Sequence, residues 1–184
     1  MRLEPLEPRH EEPLWEAAQD ERVFRWFSVH ANESREAFRA WFELVRREWL
    51  PFAQVVGGVP LGSSSYGNVR EHDRVVEIGN TWLGAEAWGT GVNAEAKLLL
   101  MQHAFEEEGF RRVEFKTDAN NERSRAALAA LPAEFEGVFR KHMVVRGGER
   151  RDSAWYSVID DEWPAVKSAL RERLAGKAAA RNER

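Results

Sequence analysis

The chain has 184 residues, with 27 Lys+Arg against 31 Asp+Glu and a formal net charge of −4. An apolar fraction of 43% with 8 Trp and 10 Phe argues against disorder, and the absence of cysteine excludes a disulfide framework, a thiolate metal site and a cysteine nucleophile. The mild acidity gives no support to nucleic-acid binding, no apolar run approaches the ~20 residues that span a bilayer, and the polar start MRLEPLEPRHEEP does not fit a signal peptide. The expectation is one cytoplasmic domain with no nucleic-acid or membrane partner.

Residues 2–6 predict a short strand, and Leu14, Ala17 and Ala18 recur at helical spacing within Glu11 to Gln19. Phe24, Trp26 and Phe27 form an apolar knot before a clearer helix, which Asn32 or Ser34 can cap and in which Phe38, Trp41, Phe42, Val45 and Trp49 repeat at three and four. From Phe52 the period becomes extended, and FAQVVGGV, LGSSSYGNV and RVVEIGNTWL read as three strands of an antiparallel meander. Trp88 to Glu108 predicts the strongest helix, with Ala96, Leu99, Leu100, His103 and Ala104 on one face and His103 as a core residue. RRVEFKTD follows as a strand, Asn121 to Leu131 as a helix, EFEGVFRKHMVV and SAWYSVID as two strands, and Asp161 to Leu174 as a last helix. The expectation is one domain over residues 1–174, with a frayed polar tail at 175–184. This order gives a mixed α+β layer fold with one strand–helix–strand crossover at its centre.

That crossover carries Gly89 and Gly91 between a strand end and a helix start. Glycines there let backbone N–H groups and the helix N-terminus face an anion such as pyrophosphate; the same residues also suit an ordinary tight turn. Gly89-Thr90-Gly91-Val92-Asn93-Ala94 fits the loose dinucleotide fingerprint too, with Asp118 at the next strand end, but a meander precedes it where a Rossmann half needs consecutive crossovers. Asn121 and Ser124 open the following helix on the same cleft, and Asn121 is equally read as an N-cap. None of the five histidines shows metal spacing, so no metal is expected. The run Glu106 to Glu108 reads as a solvated helix end.

Five blocks together, EIGNTWL at Glu77, WGTGVNAEAKLLLMQHAFE at Trp88, NNERSRAAL at Asn120, EGVFRKHMV at Glu136 and AWYSVIDDEW at Ala154, resemble the GNAT acetyltransferases, in particular the RimJ/RimL-type branch of ribosomal-protein N-acetyltransferases. The resemblance implies a largely antiparallel central sheet of about seven strands flanked by helices, with a splayed central strand pair. It implies acetyl-CoA as acetyl donor, held by Trp88, Gly89, Thr90, Gly91, Val92 and Asn93, by the strand backbone at Trp82 and Leu83, and by Asn121. Trp88 and Asn93 stand where the family signature has Gln/Arg and Gly/Ala. Direct transfer to an amine is implied, the acceptor being a protein N-terminus or a small amine. The candidate general base is Glu77 and the candidate proton donor to the sulfur is Ser124. Lys97, Arg123 or Arg125 would help to hold the anionic donor, leaving acidic groups for the amine. Most of Trp26, Phe27, Trp41 and Trp49 are expected in the core, with one able to wall the acceptor pocket. A homodimer is a further implication. The alternatives are a non-catalytic acyl-CoA-binding module and a dinucleotide-dependent oxidoreductase.

Overall fold

The computed structural model describes residues 1–182. Twelve main elements follow the expected order: β1 (Arg2–Pro5), α1 (Glu11–Ala17), α2 (Arg35–Glu48), β2 (Leu50–Val56), β3 (Val59–Arg70), β4 (Val75–Leu83), α3 (Val92–Gln102), β5 (Arg112–Asp118), α4 (Glu122–Ala129), β6 (Glu134–Val145), β7 (Glu149–Ile159) and α5 (Trp163–Asn182). The strands form one seven-stranded sheet in the order β1-β2-β3-β4-β5-β7-β6. Every neighbouring pair is antiparallel except β4 and β5, which are parallel because α3 carries the chain back across the sheet.

Each face of the sheet has its own core. On one, Phe24, Phe38, Trp41, Phe42 and Val45 from the α1–α2 layer pack with Leu14 and Trp82. On the other, Leu100 and Met101 of α3, Ala104 just after it, and Val166 and Leu170 of α5 cover Val76, Ile78, Val113 and Phe115. Ser34 caps α2 by accepting the Ala37 N–H at 3.0 Å. The other candidate cap, Asn32, instead donates to the carbonyls of Ala18 and Asp20, both at 3.0 Å, and ties the α1–α2 loop together.

The central strand pair parts company early. β4 and β5 pair only from Val75↔Arg112 to Glu77↔Glu114, after which each keeps its outer partner, β3 or β7, but the two no longer pair with each other. The cause lies in β4: its register on β3 slips between Gly79 and Trp82, and Asn80 takes φ +46° there. One extra residue bends the strand away from its neighbour, and Asn tolerates the left-handed conformation better than most side chains. The closed end is pinned by charge. Arg70 donates to both Glu114 oxygens, at 3.2 and 3.0 Å, and Arg112 Nε donates to Glu114 Oε1 at 2.9 Å. Burial alone would raise the Glu114 carboxyl, but Arg70 and Arg112 outweigh it and hold the group below its ordinary value.

Four expectations are corrected. The helix expected over Trp88 to Glu108 is shorter: Gly89 (φ +77°) and Gly91 (φ +104°) hold a loop, α3 begins at Val92, and a π turn over His103–Glu107 replaces its last part. Leu99 on α3 is 38% exposed, and His103 at the start of the turn lies outside the core, bonded through Nδ1 to Glu107 at 2.9 Å. Glu106 is more than a solvated end, since it accepts from Trp163 Nε1 at 2.7 Å and from Lys167 at 2.6 Å. The tail expected to fray from residue 175 instead continues α5 to Asn182. Its Ala-rich composition favours helix, and the single Gly176 costs only about 1 kcal/mol. Residues 183–184 of that tail lie outside the described residues.

Candidate active site

A cavity of about 460 Å³ runs through the splay, from the glycine loop on one side of the sheet to the α1–α2 loop and the β6–β7 hairpin on the other. At the loop end Gly91 is the N-cap of α3. A Cβ at Gly89 would meet nothing within 4 Å, whereas one at Gly91 would lie 3.3 Å from Lys177 and 3.5 Å from Leu174. Lys177 Nζ donates to the Gly89 carbonyl, so the last turns of α5 brace the loop. Asn93 lines the cavity with its Oδ1 buried and, among the described residues, without a hydrogen-bond partner. Thr90 is engaged within the loop, donating through Oγ1 to Ala87 O at 2.7 Å, and neither Thr90 nor Val92 lines the cavity.

Trp88 performs a different task from the polar residue it replaces. Its indole N–H donates to Leu83 O at 2.9 Å, fastening the loop to the end of β4. The Arg123 guanidinium lies 3.5 Å over the Trp88 ring and that of Arg22 lies 5.1 Å from it, so two cations from different elements stack on one indole. Trp82 and Leu83 line the cavity, yet the Trp82 ring belongs to the aromatic core, 5.2 Å from Phe24 and 6.1 Å from Trp41. Only its backbone is available to a ligand in the splay. Asn121 caps α4, accepting the Ser124 N–H at 3.1 Å, and both residues line the cavity.

Glu77 is 2% exposed and lies on the α2 side of the sheet. Asn68 Nδ2 donates to its Oε2 at 2.6 Å, and Lys116 pairs with the same oxygen at 3.4 Å. Oε1 rests over Gly79, where an added Cβ would come within 2.8 Å of it. Trp49 packs against Gly67 and Gly79 and, with Trp26 and Phe27, forms an aromatic wall of the cavity; Trp41 is core. Four of the aromatics singled out in the sequence thus divide three to one, with the larger share on the cavity.

Lys97 reaches the cavity from the opposite face. It is 5% exposed and donates to Thr81 Oγ1 at 2.7 Å and Ser64 Oγ at 3.4 Å. Burial lowers its ammonium to about 7, and the Glu77 charge only partly opposes that. Arg125 is turned away, donating to Tyr156 Oη and Ala119 O, both at 3.1 Å. The cations Lys97, Lys116, Arg123, Arg151, Arg173 and Lys177 line the cavity against the carboxylates Glu77 and Asp118, so the cleft is basic although the whole chain is acidic.

Sequence reading missed Arg151, Arg173 and Lys177. Arg151 alternates with Ser153 and Trp155 along β7, a pattern hidden once the strand is started at Ser153; Lys177 lies beyond the helix end placed at Leu174, and Arg173, within the expected helix, carries no sequence mark of the face it turns to the loop. Among the described residues no group of three or more His, Cys, Asp and Glu side chains is placed to hold a metal ion, and no helix is long and apolar enough to cross a membrane.

This architecture is that of acetyl-CoA-dependent acyltransferases, and comparison with known proteins agrees. The family model for the acetyltransferase (GNAT) domain matches residues 1–133. A GCN5-related N-acetyltransferase from Brucella melitensis is 34% identical, with a TM-score of 0.88 over 94% of this chain and 81% of that one. A protein of T. thermophilus classed as an acetyltransferase is 38% identical, with a TM-score of 0.87 over 94% of this chain and 93% of that one. RimJ of Mycobacterium smegmatis, solved with CoA-disulfide, shares the fold at 22% identity, with a TM-score of 0.79 over 95% and 88%. No curated protein matches the chain. The chain belongs to the GNAT acetyltransferase family.

Proposed function

We propose that the protein is an acetyl-CoA-dependent N-acetyltransferase of the RimJ/RimL type that acetylates a primary amine, on a protein N-terminus or a small molecule, by direct transfer. The observation that carries this is the continuity of the glycine loop with the stretch of β4 that has parted from β5, inside one basic cavity. A thioester supplies the activated acetyl group. The residues that fit it are Gly89, Gly91 and Asn93 around the pyrophosphate, with Arg123, Arg173 and Lys177 offsetting its charge, and the backbone of Asn80 to Leu83 along the pantetheine arm. Unpaired β4 N–H groups near the bulge donate to the carbonyl oxygen as it gains negative charge. Glu77 Oε1 takes the amine proton, directly or through water, and Asn68 and Lys116 keep the carboxylate in place. Ser124 stands at the sulfur end as its proton donor. In balance, one N–C bond forms and one C–S bond breaks, the departing thiolate takes the Ser124 proton, and the amine proton on Glu77 returns to Ser124 through water.

Mixing the protein with acetyl-CoA and a panel of amines and following free thiol tests this reading. Amine-dependent thiol release with a matching acetylated product is expected. Stabilisation by acetyl-CoA with no thiol released from any amine would leave a binding module instead.

A further inference from the structure

Beyond the splay, one face of the sheet carries a row of charges. Alternation along β5 puts Lys116 and Asp118 on the same side as Glu77 and Trp49, and alternation along β7 sets Arg151, Ser153 and Trp155 beside them. Most of these groups are engaged. Lys116 pairs with Glu77 and lies 5.3 Å over the Trp155 ring. Arg146 donates through Nη1 to Phe27 O at 2.7 Å, and its Nη2 lies 3.5 Å from Asp118 and 3.2 Å from Glu149. Asp118 Oδ1 accepts the Asn120 N–H at 2.9 Å.

Arg151 is the exception. Its side chain is 8% exposed and lines the cavity, and among the described residues its Nε has no hydrogen-bond acceptor. The Asp118 oxygen it faces is 4.0 Å away, too far for a hydrogen bond, and that oxygen is shared with Arg146. One carboxylate therefore stands between two guanidinium groups. His142, which bonds Ser153 at 3.0 Å, adds no negative charge. A guanidinium buried without a bonded anion is costly, and its fork geometry matches a carboxylate. Trp26, Phe27 and Trp49 provide an apolar wall in the same cavity.

We propose that Arg151 receives the carboxylate of the acceptor, so that the acceptor is a small α-amino acid or similar amino-carboxylate whose amine reaches the splay. The proposal rests on the acetyl-transfer reading and names its substrate class. A protein N-terminus has an amide where a free amino acid has this carboxylate, so it does not meet Arg151 in the same way.

The test uses the full chain, acetyl-CoA, the standard α-amino acids, their carboxamides, and short peptides beginning with the same residues, with thiol release as the readout. The best free amino acid should exceed its carboxamide by at least about tenfold in kcat/KM, the worth of one charge-assisted hydrogen bond or more. It should do so although the amine of the carboxamide is the more easily deprotonated. Arg151→Gln should bring the free acid down to the level of the carboxamide, mainly through KM, with the calorimetric Kd for acetyl-CoA unchanged; Arg151→Lys should keep part of the preference. Equal use of acid and carboxamide by the unmodified protein, a preference for peptides, or a preference that survives in Arg151→Gln would overturn the assignment. Should Arg151→Gln fail to fold, the unmodified protein and Arg151→Lys still decide. Transfer only to carboxamides or peptides removes the amino-acid acceptor and leaves acetyl transfer standing, whereas acetyl-CoA binding with no transfer to any amine removes both.

Discussion

Glu77 and Lys97 approach the splay from opposite faces of the sheet, and each makes a separate prediction. Two donors converge on Glu77 Oε2, while Oε1 rests over Gly79. If Oε1 takes the amine proton, Glu77→Gln lowers kcat by about 10² or more, with acetyl-CoA affinity unchanged. Steady-state rates with an accepted amine and the calorimetric Kd for acetyl-CoA check this, and an unaltered kcat would make Glu77 structural. Lys97 carries a linkage of definite sign. Its ordinary value is 10.5 and burial brings it to about 7, so between those values the unfolded chain binds a proton that the folded one does not. Stability contributed at this site therefore rises with pH across the window, and its penalty is fully present below pH 7. Lys97→Met replaces the buried charge with an apolar chain and leaves Ser64 and Thr81 bonded to each other at 2.6 Å. The variant should melt above the unmodified protein at pH 6, with the difference shrinking toward pH 10; a pH-independent difference would contradict the linkage.

At the scale of elements, the site depends on how strands and helices are spaced. Trp49 reaches the cavity because Gly67 leaves room for it: a Cβ there would lie 2.2 Å from the indole. Gly67→Ala should cost about 1–3 kcal/mol through overpacking, and it should raise the acceptor KM while sparing acetyl-CoA binding. Thermal melts together with KM and Kd values separate these effects. Gly91 at φ +104° with Lys177 and Leu174 behind it gives the loop-end counterpart. Gly91→Val should weaken acetyl-CoA binding at least tenfold, and unchanged affinity in calorimetry would remove the loop from the site. The elements were legible wherever a periodic apolar pattern met a stop: Ser34 before Phe38 and Trp41, the meander of β2 to β4, and the glycines before α3. The bulge at Asn80 was not legible, because a positive φ inside a strand follows from pairing on both sides and leaves no mark in composition. The length of α5 was misread for a related reason, since an Ala-rich tail looks the same whether it packs on a glycine loop or not.

Over the whole molecule, the net charge of −4 hides a cleft lined by more cations than carboxylates. A sum over the sequence cannot disclose that segregation, which arises when distant residues such as Arg123, Arg151 and Lys177 are gathered at one cavity. The five motif blocks located the loop, Glu77, Asn121 and Ser124, whereas Arg151 emerged only once the β5–β7 register was known. Because the loop end of the cleft is partly open, acetyl-CoA affinity should fall as salt rises despite the acidic protein, and calorimetry between low and physiological ionic strength reads that slope. The central claim is direct transfer from a thioester held in the splay to an amine. Its most direct test is a single-turnover experiment with the protein in excess over acetyl-CoA labelled in the acetyl group, quenched with and without an accepted amine. The label should pass to the amine and leave the protein unlabelled at every time point. Label held covalently on the protein before it reaches the amine, or label that never leaves the thioester, would contradict the account.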